Sequence, residues 1–121
     1  MSKPYFPEAG DIVWLNFTPQ AGHEQAGHRP ALVVSPSIYN KKTGLMVCCP
    51  MTNQIKGYPF EVGVSSGGAV LSDQVKNLDW KARKAKFKEK VTPAELSKVR
   101  KNIFRRYGYF TCRIFVHILG H

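Results

Sequence analysis

The stretch GHEQAGHRPALVVS at residues 22–35 joins a glycine-bounded polar loop to a run of apolar residues. Residues 29–34 are nearly all apolar, as in a strand that is covered on both faces of its sheet. The loop brings Glu24, His28 and Arg29 within six residues of one another, which an ordinary hairpin turn does not require. Functional groups usually lie on loops that rigid strands carry. The stretch therefore predicts a central strand that is preceded by a functional loop. The alternative is a solvated hairpin tip with an internal Glu24–Arg29 ion pair.

Further strands are predicted on both sides of this one. Residues 11–17 alternate imperfectly between polar and apolar side chains, and residues 45–52 are apolar like a buried strand. Pro50 cannot donate a backbone hydrogen bond, so we expect the strand at 45–52 to reach a sheet edge or to end there. The SSGG turn at 65–68 predicts a hairpin, and residues 73–91 predict one long bent strand or two strands.

The sequence TPAE at 92–95 is the one clear helix start. Thr92 is a capping residue, proline suits the first helical position, and Glu95 can complete a capping box. Apolar residues follow on one helical face and are expected to pack onto the sheet: Leu96, Val99 and Ile103. Many short strands followed by one helix predict a mainly β (α+β) fold, a small SH3-like β-barrel or strongly bent antiparallel sheet with a C-terminal helix.

The end of the chain has a different pattern. From Phe110 to Ile118 every second residue is apolar, with one cysteine among them, as in a strand. An extra strand, a dimer contact and a C-terminus altered by a frame change are all compatible with this pattern. We expect residues 1–106 to form a single domain and residues 107–121 a divergent tail.

Charge is distributed unevenly along the chain. Residues 1–80 hold six Lys and Arg against six Asp and Glu, whereas residues 81–121 hold twelve against two, so the net charge of +10 belongs to the last third. Lys84, Lys86, Lys88 and Lys90 alternate and are expected to share one strand face. This asymmetry favours a polyanionic partner over a basic face that is merely solvated.

Other features exclude several classes of protein. No run approaches the roughly 18 apolar residues that span a membrane, and the N-terminus has no signal-peptide pattern, so we expect a cytoplasmic protein without a membrane partner. Three cysteines without CxxC spacing argue against a disulfide framework and a zinc site. Cys48 and Cys49 are expected to be buried strand thiols, and no cofactor or metal is predicted.

Five short motifs occur in order along the chain. They are GDIVW at 10–14, RPALVVS at 29–35, PMTNQ at 50–54, KGYPFEV at 56–62 and SDQVK at 72–76. Together they resemble the MazF/PemK family of toxins from bacterial type II toxin–antitoxin systems, which are metal-independent ribonucleases with a small β-barrel fold. The resemblance covers about residues 7–103, and the chain after Phe104 does not follow the family pattern.

The resemblance implies a sequence-selective endoribonuclease that cuts single-stranded messenger RNA. Attack by the ribose 2′-OH would leave a 2′,3′-cyclic phosphate and a 5′-OH, and the cutting would inhibit translation and growth. It also implies a homodimer with RNA in a groove along the subunit interface, and an antitoxin whose acidic, disordered segment covers that groove. A non-enzymatic CcdB-like poison of a topoisomerase (gyrase) and a barrel that binds nucleic acid without cutting it are the alternatives.

Three side chains carry the predicted chemistry. The resemblance implicates Arg29 and Thr52, and it implicates a glutamate equivalent to Glu24 in some members of the family. Arg29 can hold two phosphate oxygens with its planar, permanently charged fork. Glu24 is the candidate base for the 2′-OH, and Thr52 can donate its hydroxyl hydrogen to a phosphate oxygen. His28 is an accessory candidate, because histidine exchanges protons near neutral pH. A rim ion pair for Arg29 and an ordinary strand position for Thr52 are the structural alternatives.

Polar and aromatic residues beside these strands are candidates for binding RNA bases and phosphates. They are Asn40, Gln54, Lys56, Tyr58, Gln74 and Lys76. Both tryptophans, Trp14 and Trp80, are instead expected in the core or an interface.

Overall fold

The computed structural model describes residues 4–17 and 28–119, with side chains through residue 107. Glu24 therefore lies outside the described residues. The described elements are β1 (Asp11–Asn16), β2 (His28–Val33), α1 (Ser37–Thr43), β3 (Leu45–Thr52), β4 (Glu61–Gly63), β5 (Ala69–Leu71), β6 (Lys76–Asp79), β7 (Lys86–Lys90) and α2 (Pro93–Leu119). The predicted hairpin at 65–68 is confirmed as the β4–β5 turn, and residues 73–91 contain two strands.

The strands form an antiparallel sheet in the order β4-β5-β3-β2-β1-β7, with β6 also paired to β3. β3 is central, which corrects the expectation that Pro50 marks an edge. Its pairing with β6 stops at Cys48, and its pairing with β5 starts at Met51. Pro50 lies in the gap between these two partners, so its missing N–H costs the sheet no ladder bond on that side. The change of partner bends the sheet, which stays open, so the prediction of a strongly bent sheet with a C-terminal helix is confirmed.

β2 is buried on both faces, as its apolar run predicts. Leu32 and Val34 belong to one apolar cluster, and Ala31 and Val33 belong to the other. All four side chains are fully inaccessible to solvent. Burial of a side chain of this size contributes about 1.5–3 kcal/mol, so β2 is a large part of the stabilisation of the domain.

The capping box at the start of α2 is confirmed. The Thr92 N–H donates to Glu95 Oε1 at 2.9 Å, and the Glu95 N–H donates to Thr92 Oγ1 at 3.1 Å. Glu95 Oε2 also accepts the Ser65 N–H at 2.7 Å, which ties the β4–β5 turn to the helix. The backbone hydrogen bond from Thr92 is the main reason that the pKa of Glu95 is lowered. Val99 and Ile103 are fully buried against the sheet, as predicted.

Of the three alternatives for the residues after Phe110, the extra strand is excluded, because α2 continues without interruption to Leu119. A dimer contact and an altered C-terminus stay open. A helix that has begun adds one backbone hydrogen bond for each residue that it gains. A strand at the same place needs a neighbour with which to pair, and alternating apolar residues do not supply one. The helix crosses residue 106, so the division between a domain at 1–106 and a tail at 107–121 stays a prediction.

The four alternating lysines do not share one face. Lys84 lies in a turn with a positive φ of 54°. β7 then pairs with β1 through a bulge, since Ile12 faces Glu89 whereas Val13 faces Phe87. The bulge changes which residues face each side of the sheet. Lys90 therefore reaches the buried Asp11, at 2.7 Å between Nζ and Oδ1.

Asn40 does not lie in a position to contact RNA, so that prediction is wrong. It lies on the buried side of α1 and is fully inaccessible to solvent. Oδ1 accepts from Ser35 Oγ at 2.6 Å, and Nδ2 donates to the backbone oxygens of Pro7 at 2.9 Å and Ser35 at 3.1 Å. The Asn40 carbonyl accepts from Trp80 Nε1 at 2.9 Å. Asn40 is therefore a structural residue that joins the N-terminal segment, β2 and the β6–β7 turn.

We expect Asn40→Ala to lower the free energy of unfolding by about 3 kcal/mol, because several buried polar groups lose their partners. Chemical denaturation measures the change. Ile38→Ala, on the same helix with 63% of its side chain exposed, serves as the control and should cost under about 0.5 kcal/mol. Similar losses in the two variants would contradict the structural role of Asn40.

Candidate active site

A cleft of about 650 Å³ opens where β1, β2 and β3 meet the β4–β5 turn and β7. Arg29, Thr52 and His28 line it together with Trp14 and Lys88, and we call it the Arg29 cleft. The cleft lies at the end of β2 where His28 begins the strand. Three of the four predicted catalytic residues are therefore brought to one place.

Arg29 stands at the open end of β2, across from Leu15 of β1. Its backbone belongs to the ladder, while its side chain is exposed to solvent. Within residues 4–17 and 28–107 its guanidinium makes no hydrogen bond or ion pair. An exposed guanidinium at the end of a paired strand can bind an anion with two parallel hydrogen bonds.

Thr52 is the last residue of β3, and the β2–β3 register brings it to the same end as Arg29. Counting two residues outward from the Ala31–Pro50 pair reaches Arg29 on one strand and Thr52 on the other. The Thr52 hydroxyl oxygen accepts the Gln54 N–H at 3.0 Å. Because a hydroxyl can accept and donate at once, this bond orients the oxygen and leaves its hydrogen for a ligand.

Gly68 brings the β4–β5 turn against Thr52. A Cβ at position 68 would lie 2.9 Å from the Thr52 carbonyl oxygen, closer than real Cβ contacts come. The backbone of Gly68 also has a φ of 79°, in the region that favours glycine. Both the close approach and the turn conformation therefore require glycine at this wall of the Arg29 cleft.

His28 precedes Arg29 and lies across from Asn16 of β1. Its side chain is half-buried and lines the same cleft. The imidazole is thus close to the residues that would hold a phosphate. Glu24, the predicted base, lies outside the described residues, and its position relative to His28 stays a prediction.

The opposite wall of the cleft holds residues that sequence reasoning missed. Glu89 hydrogen-bonds with the Ser66 side chain and with Lys88, the latter at 2.9 Å, and these bonds lower the pKa of Glu89. Lys88 Nζ also lies 5.6 Å from the centroid of the Trp14 ring. These contacts connect β7, the β4–β5 turn and β1 across the cleft, although the residues are far apart in sequence.

Trp14 was expected in the core or in an interface, yet it lines the cleft and is 37% exposed. Its neighbours Val13 and Leu15 are fully buried in the second apolar cluster. Alternation along β1 therefore turns Trp14 to the other face, beyond the edge of the first cluster. The sequence held a signal for this position, because successive strand residues face opposite sides of a sheet and Trp14 lies between two apolar neighbours. Trp80, in contrast, is buried as predicted.

A smaller cleft of about 210 Å³ continues from the Arg29 cleft. Gln54, Lys56, Tyr58 and Gln74 line it, and we call it the Tyr58 cleft. Thr52 and Gln54 belong to both clefts. Four of the six predicted RNA-binding residues thus meet beside the candidate catalytic side chains. Lys76, the fifth, is exposed at the start of β6 and lines neither cleft.

The loop that carries Lys56 and Tyr58 is organised by one carboxylate. Glu61 Oε1 accepts the backbone N–H groups of Lys56, Gly57 and Tyr58 at 3.0, 2.7 and 3.3 Å. The Tyr58 ring stacks on Phe60, with 5.2 Å between centroids and an interplanar angle of 21°. Tyr58 is 51% exposed, so the stacked pair presents a flat aromatic surface to the cleft. Such a surface suits the faces of nucleic-acid bases.

The described residues contain no cluster of three or more His, Cys, Asp or Glu side chains that could hold a metal. Both described cysteines are buried free thiols, as predicted. Burial raises the pKa of Cys48 to about 12 and raises that of Cys49 as well, so neither supplies a thiolate near neutral pH. None of the described helices is both long and apolar enough to cross a membrane.

Comparison with known proteins gives consistent matches over most of the chain. Residues 8–105 match the sequence profile of PemK-like, MazF-like toxins of type II toxin–antitoxin systems. The endoribonuclease toxin MazF of Escherichia coli K12 is 50% identical over 106 residues, which cover 85% of this chain and 96% of that protein. The endoribonuclease PemK of Escherichia coli is 36% identical over 100 residues, with coverage of 76% and 75%.

Solved structures show the same architecture. MazF from Deinococcus radiodurans aligns with a TM-score of 0.78 at 49% identity, covering 88% of this chain and 100% of that one. A MazE–MazF structure from the same organism aligns with a TM-score of 0.79 at 47% identity, covering 86% and 98%. The residues that match the family profile, 8–105, include all seven strands of the sheet, so sequence and fold agree. The chain is a member of the PemK-like, MazF-like toxin family of type II toxin–antitoxin systems.

Proposed function

We propose that this toxin is a metal-independent, sequence-selective endoribonuclease that cleaves single-stranded RNA in the cytoplasm and thereby inhibits translation and growth. The supporting observation is the convergence of Arg29, Thr52 and His28 on one open cleft. Its relatives MazF and PemK are endoribonucleases by name. A guanidinium, a hydroxyl and an imidazole at one site suit phosphoryl transfer better than they suit a poison that only binds another protein.

In the proposed reaction the ribose 2′-oxygen attacks the adjacent phosphorus. The 2′-OH proton passes to Glu24, a 2′-oxygen–phosphorus bond forms, and the bond from phosphorus to the 5′-oxygen breaks. His28 donates a proton to the departing 5′-oxygen. The products are a 2′,3′-cyclic phosphate and a 5′-OH, and no metal or cofactor takes part. General acid and base groups of this kind each contribute about 10²–10⁴-fold.

Arg29 and Thr52 are assigned to the phosphate itself. The negative charge on the non-bridging oxygens is bound by the guanidinium, which is held in place by the β2 ladder. The Thr52 hydroxyl, oriented by the Gln54 N–H, donates its hydrogen to one of the same oxygens. Donors that are already in position need no reorganisation during the reaction, which is why they lower its barrier.

Base recognition is assigned to the Tyr58 cleft. The amides of Gln54 and Gln74 can hydrogen-bond to base edges, and the exposed Tyr58 ring can stack on a base. Lys56 would bind a neighbouring phosphate, and Lys76 one farther along the strand. Single-stranded substrate is required, because paired bases do not expose these edges and faces.

Two protein partners belong to the proposal. We infer a homodimer with the RNA groove along its interface, supported by large apolar side chains that the single chain leaves exposed, such as Phe87 and Ile55. We also infer an antitoxin whose acidic, disordered segment covers the groove, by analogy with the MazE–MazF structures. The net charge of +10 suits both RNA and such a segment.

The first test is incubation of the protein with mixed-sequence single-stranded RNA in excess EDTA, followed by mass spectrometry of the fragment ends. We expect discrete fragments with cyclic phosphate ends from the unaltered protein. Arg29→Ala should lower kcat by about 10²–10³-fold, because it removes a donor to the developing phosphate charge. Arg29→Lys should fall in between, since ammonium does not form the paired hydrogen bonds of guanidinium.

Lys42→Ala provides the matched control, because it removes the same charge from the exposed end of α1, outside both clefts. It should cleave like the unaltered protein. Full activity of a folded Arg29→Ala protein would overturn the role of Arg29. Folded, unaltered protein that cuts no RNA would overturn the proposed activity and favour a topoisomerase poison or a nucleic-acid-binding barrel.

The Thr52 hydroxyl can be tested separately. Thr52→Val keeps the branched shape but removes the donor, and we expect kcat to fall about 10–100-fold with little change in KM. Thr52→Ser should retain most of the activity. Thr43→Val removes a comparable exposed hydroxyl, one that bonds only within the α1 region, and should have no effect. Equal kcat values for the valine and serine variants at position 52 would contradict the role.

The dimer is tested by light scattering of the purified toxin without antitoxin. We expect a mass of twice one chain across the micromolar range. The mass of a single chain, measured on protein that cleaves RNA, would contradict the inferred homodimer.

A further inference from the structure

A third cleft, of about 420 Å³, lies between α2 and the loop that precedes β4. Pro59 and Phe60 form one wall, and Asn102, Arg105 and Arg106 of the helix form the other. We call it the Arg105 cleft. None of these residues was among the predicted site residues, because the helix and the loop are about 45 positions apart in the sequence.

The Arg105 cleft is the end of a continuous path across the surface. Thr52 and Gln54 are shared by the Arg29 and Tyr58 clefts. Phe60 is shared by the Tyr58 and Arg105 clefts, and it supports the Tyr58 ring by stacking. A chain that leaves the Arg29 cleft along this path therefore passes an aromatic surface before it reaches the two arginines.

The helix is held beside this path by Tyr107, whose hydroxyl donates to the Asp73 carbonyl oxygen at 2.8 Å. Asp73 immediately precedes Gln74 of the Tyr58 cleft. The bond therefore joins the end of the helix that carries the arginines to the strand connection that carries a base-binding candidate. Arg105 and Arg106 keep a defined position relative to the rest of the path.

Both arginines are exposed, and the described part of the chain supplies no carboxylate that pairs with them. They belong to the last third of the sequence, which carries the net charge of +10. The family profile ends at residue 105, so this basic pair lies at the limit of what the chain shares with its relatives. An unpaired guanidinium pair beside an aromatic surface is suited to a ligand with regularly spaced anionic groups and flat rings.

We propose that the Arg105 cleft binds single-stranded RNA that flanks the recognised sequence, on one side of the cut. Arg105 and Arg106 hold backbone phosphates, Asn102 contributes an amide, and Phe60 supports the adjacent bases. The inference rests on the proposed endoribonuclease function and extends it beyond the catalytic and base-recognition clefts. Its consequence is that nucleotides outside the cut motif add affinity but no sequence preference.

RNA fits this path better than an acidic protein segment does. The path is continuous with the clefts assigned to RNA, and it includes an exposed stacked pair of rings. Bases stack on such rings whatever their identity, whereas carboxylate side chains have no flat ring to place there.

The test measures RNA affinity without cleavage, so that it does not depend on the chemistry. The probe is a short RNA of about 5 nucleotides that carries the cut motif, with a 2′-deoxy sugar at the scissile position to prevent cleavage. Its affinity is compared with that of two longer RNAs, in which the same probe is extended to about 12 nucleotides on one side or on the other. In unaltered protein, one of the two extensions should tighten Kd about 10-fold. In R105Q/R106Q that gain should fall below about 2-fold, with the Kd for the short RNA unchanged.

K98Q/K101Q is the matched control, because it removes two positive charges from exposed positions of the same helix outside the Arg105 cleft. It should keep the gain from the extension. The slope of log Kd against log salt for the extended RNA should fall by about 0.7 for each phosphate that is no longer bound, and it should do so in R105Q/R106Q alone.

Three results would overturn the inference. The first is that R105Q/R106Q and K98Q/K101Q lose the same amount of RNA affinity. The second is that R105Q/R106Q weakens the binding of short and extended RNA equally. The third is that R105Q/R106Q binds the antitoxin less tightly but still gains RNA affinity from the extension. The last of these would assign the cleft to the antitoxin. Failure of the proposed endoribonuclease function would look different. The protein would then leave unmodified RNA uncut, whereas binding is measured separately with the deoxy-substituted RNAs.

Discussion

Burial of β2 on both faces is the constraint on which the rest of the structure depends. With Leu32 packed on one side and Val33 on the other, the strand can accept neither a charged residue nor a gap in its interior. Its ladders with β1 and β3 are set by the same burial, because a slip by one residue would exchange the two faces. The register that satisfies the core also brings Arg29 and Thr52 to one end of the sheet.

Carboxylates in the described part of this basic chain mostly serve the backbone. Glu61 binds three N–H groups of the loop before β4, and Glu95 binds those of Thr92 and Ser65. Asp11 is engaged by Tyr5 and Lys90 in the interior. These bonds organise loops while keeping negative charge away from the Arg29 cleft, where Glu89 is the one described carboxylate and is bonded to Ser66 and Lys88. Glu61 lines the Tyr58 cleft, where its carboxylate is occupied by the three N–H groups, so both clefts can present cations and donors to a phosphate chain.

Local sequence patterns predicted the structure correctly wherever the conformation of a segment depends mainly on its own residues. The strand at 45–52, the turn at 65–68 and the capping box at Thr92 are where the sequence placed them. Predictions failed where a distant partner decides. Asn40 reads as a polar loop residue, yet Pro7, Ser35 and Trp80 bury it and use its hydrogen-bonding groups. The residues after Phe110 are a different case: their alternation left an extra strand open, and the helix that begins at Pro93 continues through them instead.

The sequence by itself determined a mainly β chain, a doubly buried strand, a capped helix and an excess of positive charge in the last third. Period, propensity and charge are properties of neighbouring residues, so they can be read without a structure. Only the tertiary structure decided that Arg29, Thr52 and Trp14 share a cleft, and that Arg105 and Phe60 line another. Such contacts depend on strand register, on the bulge in β7 and on the bend of β3, which arise from packing among distant segments.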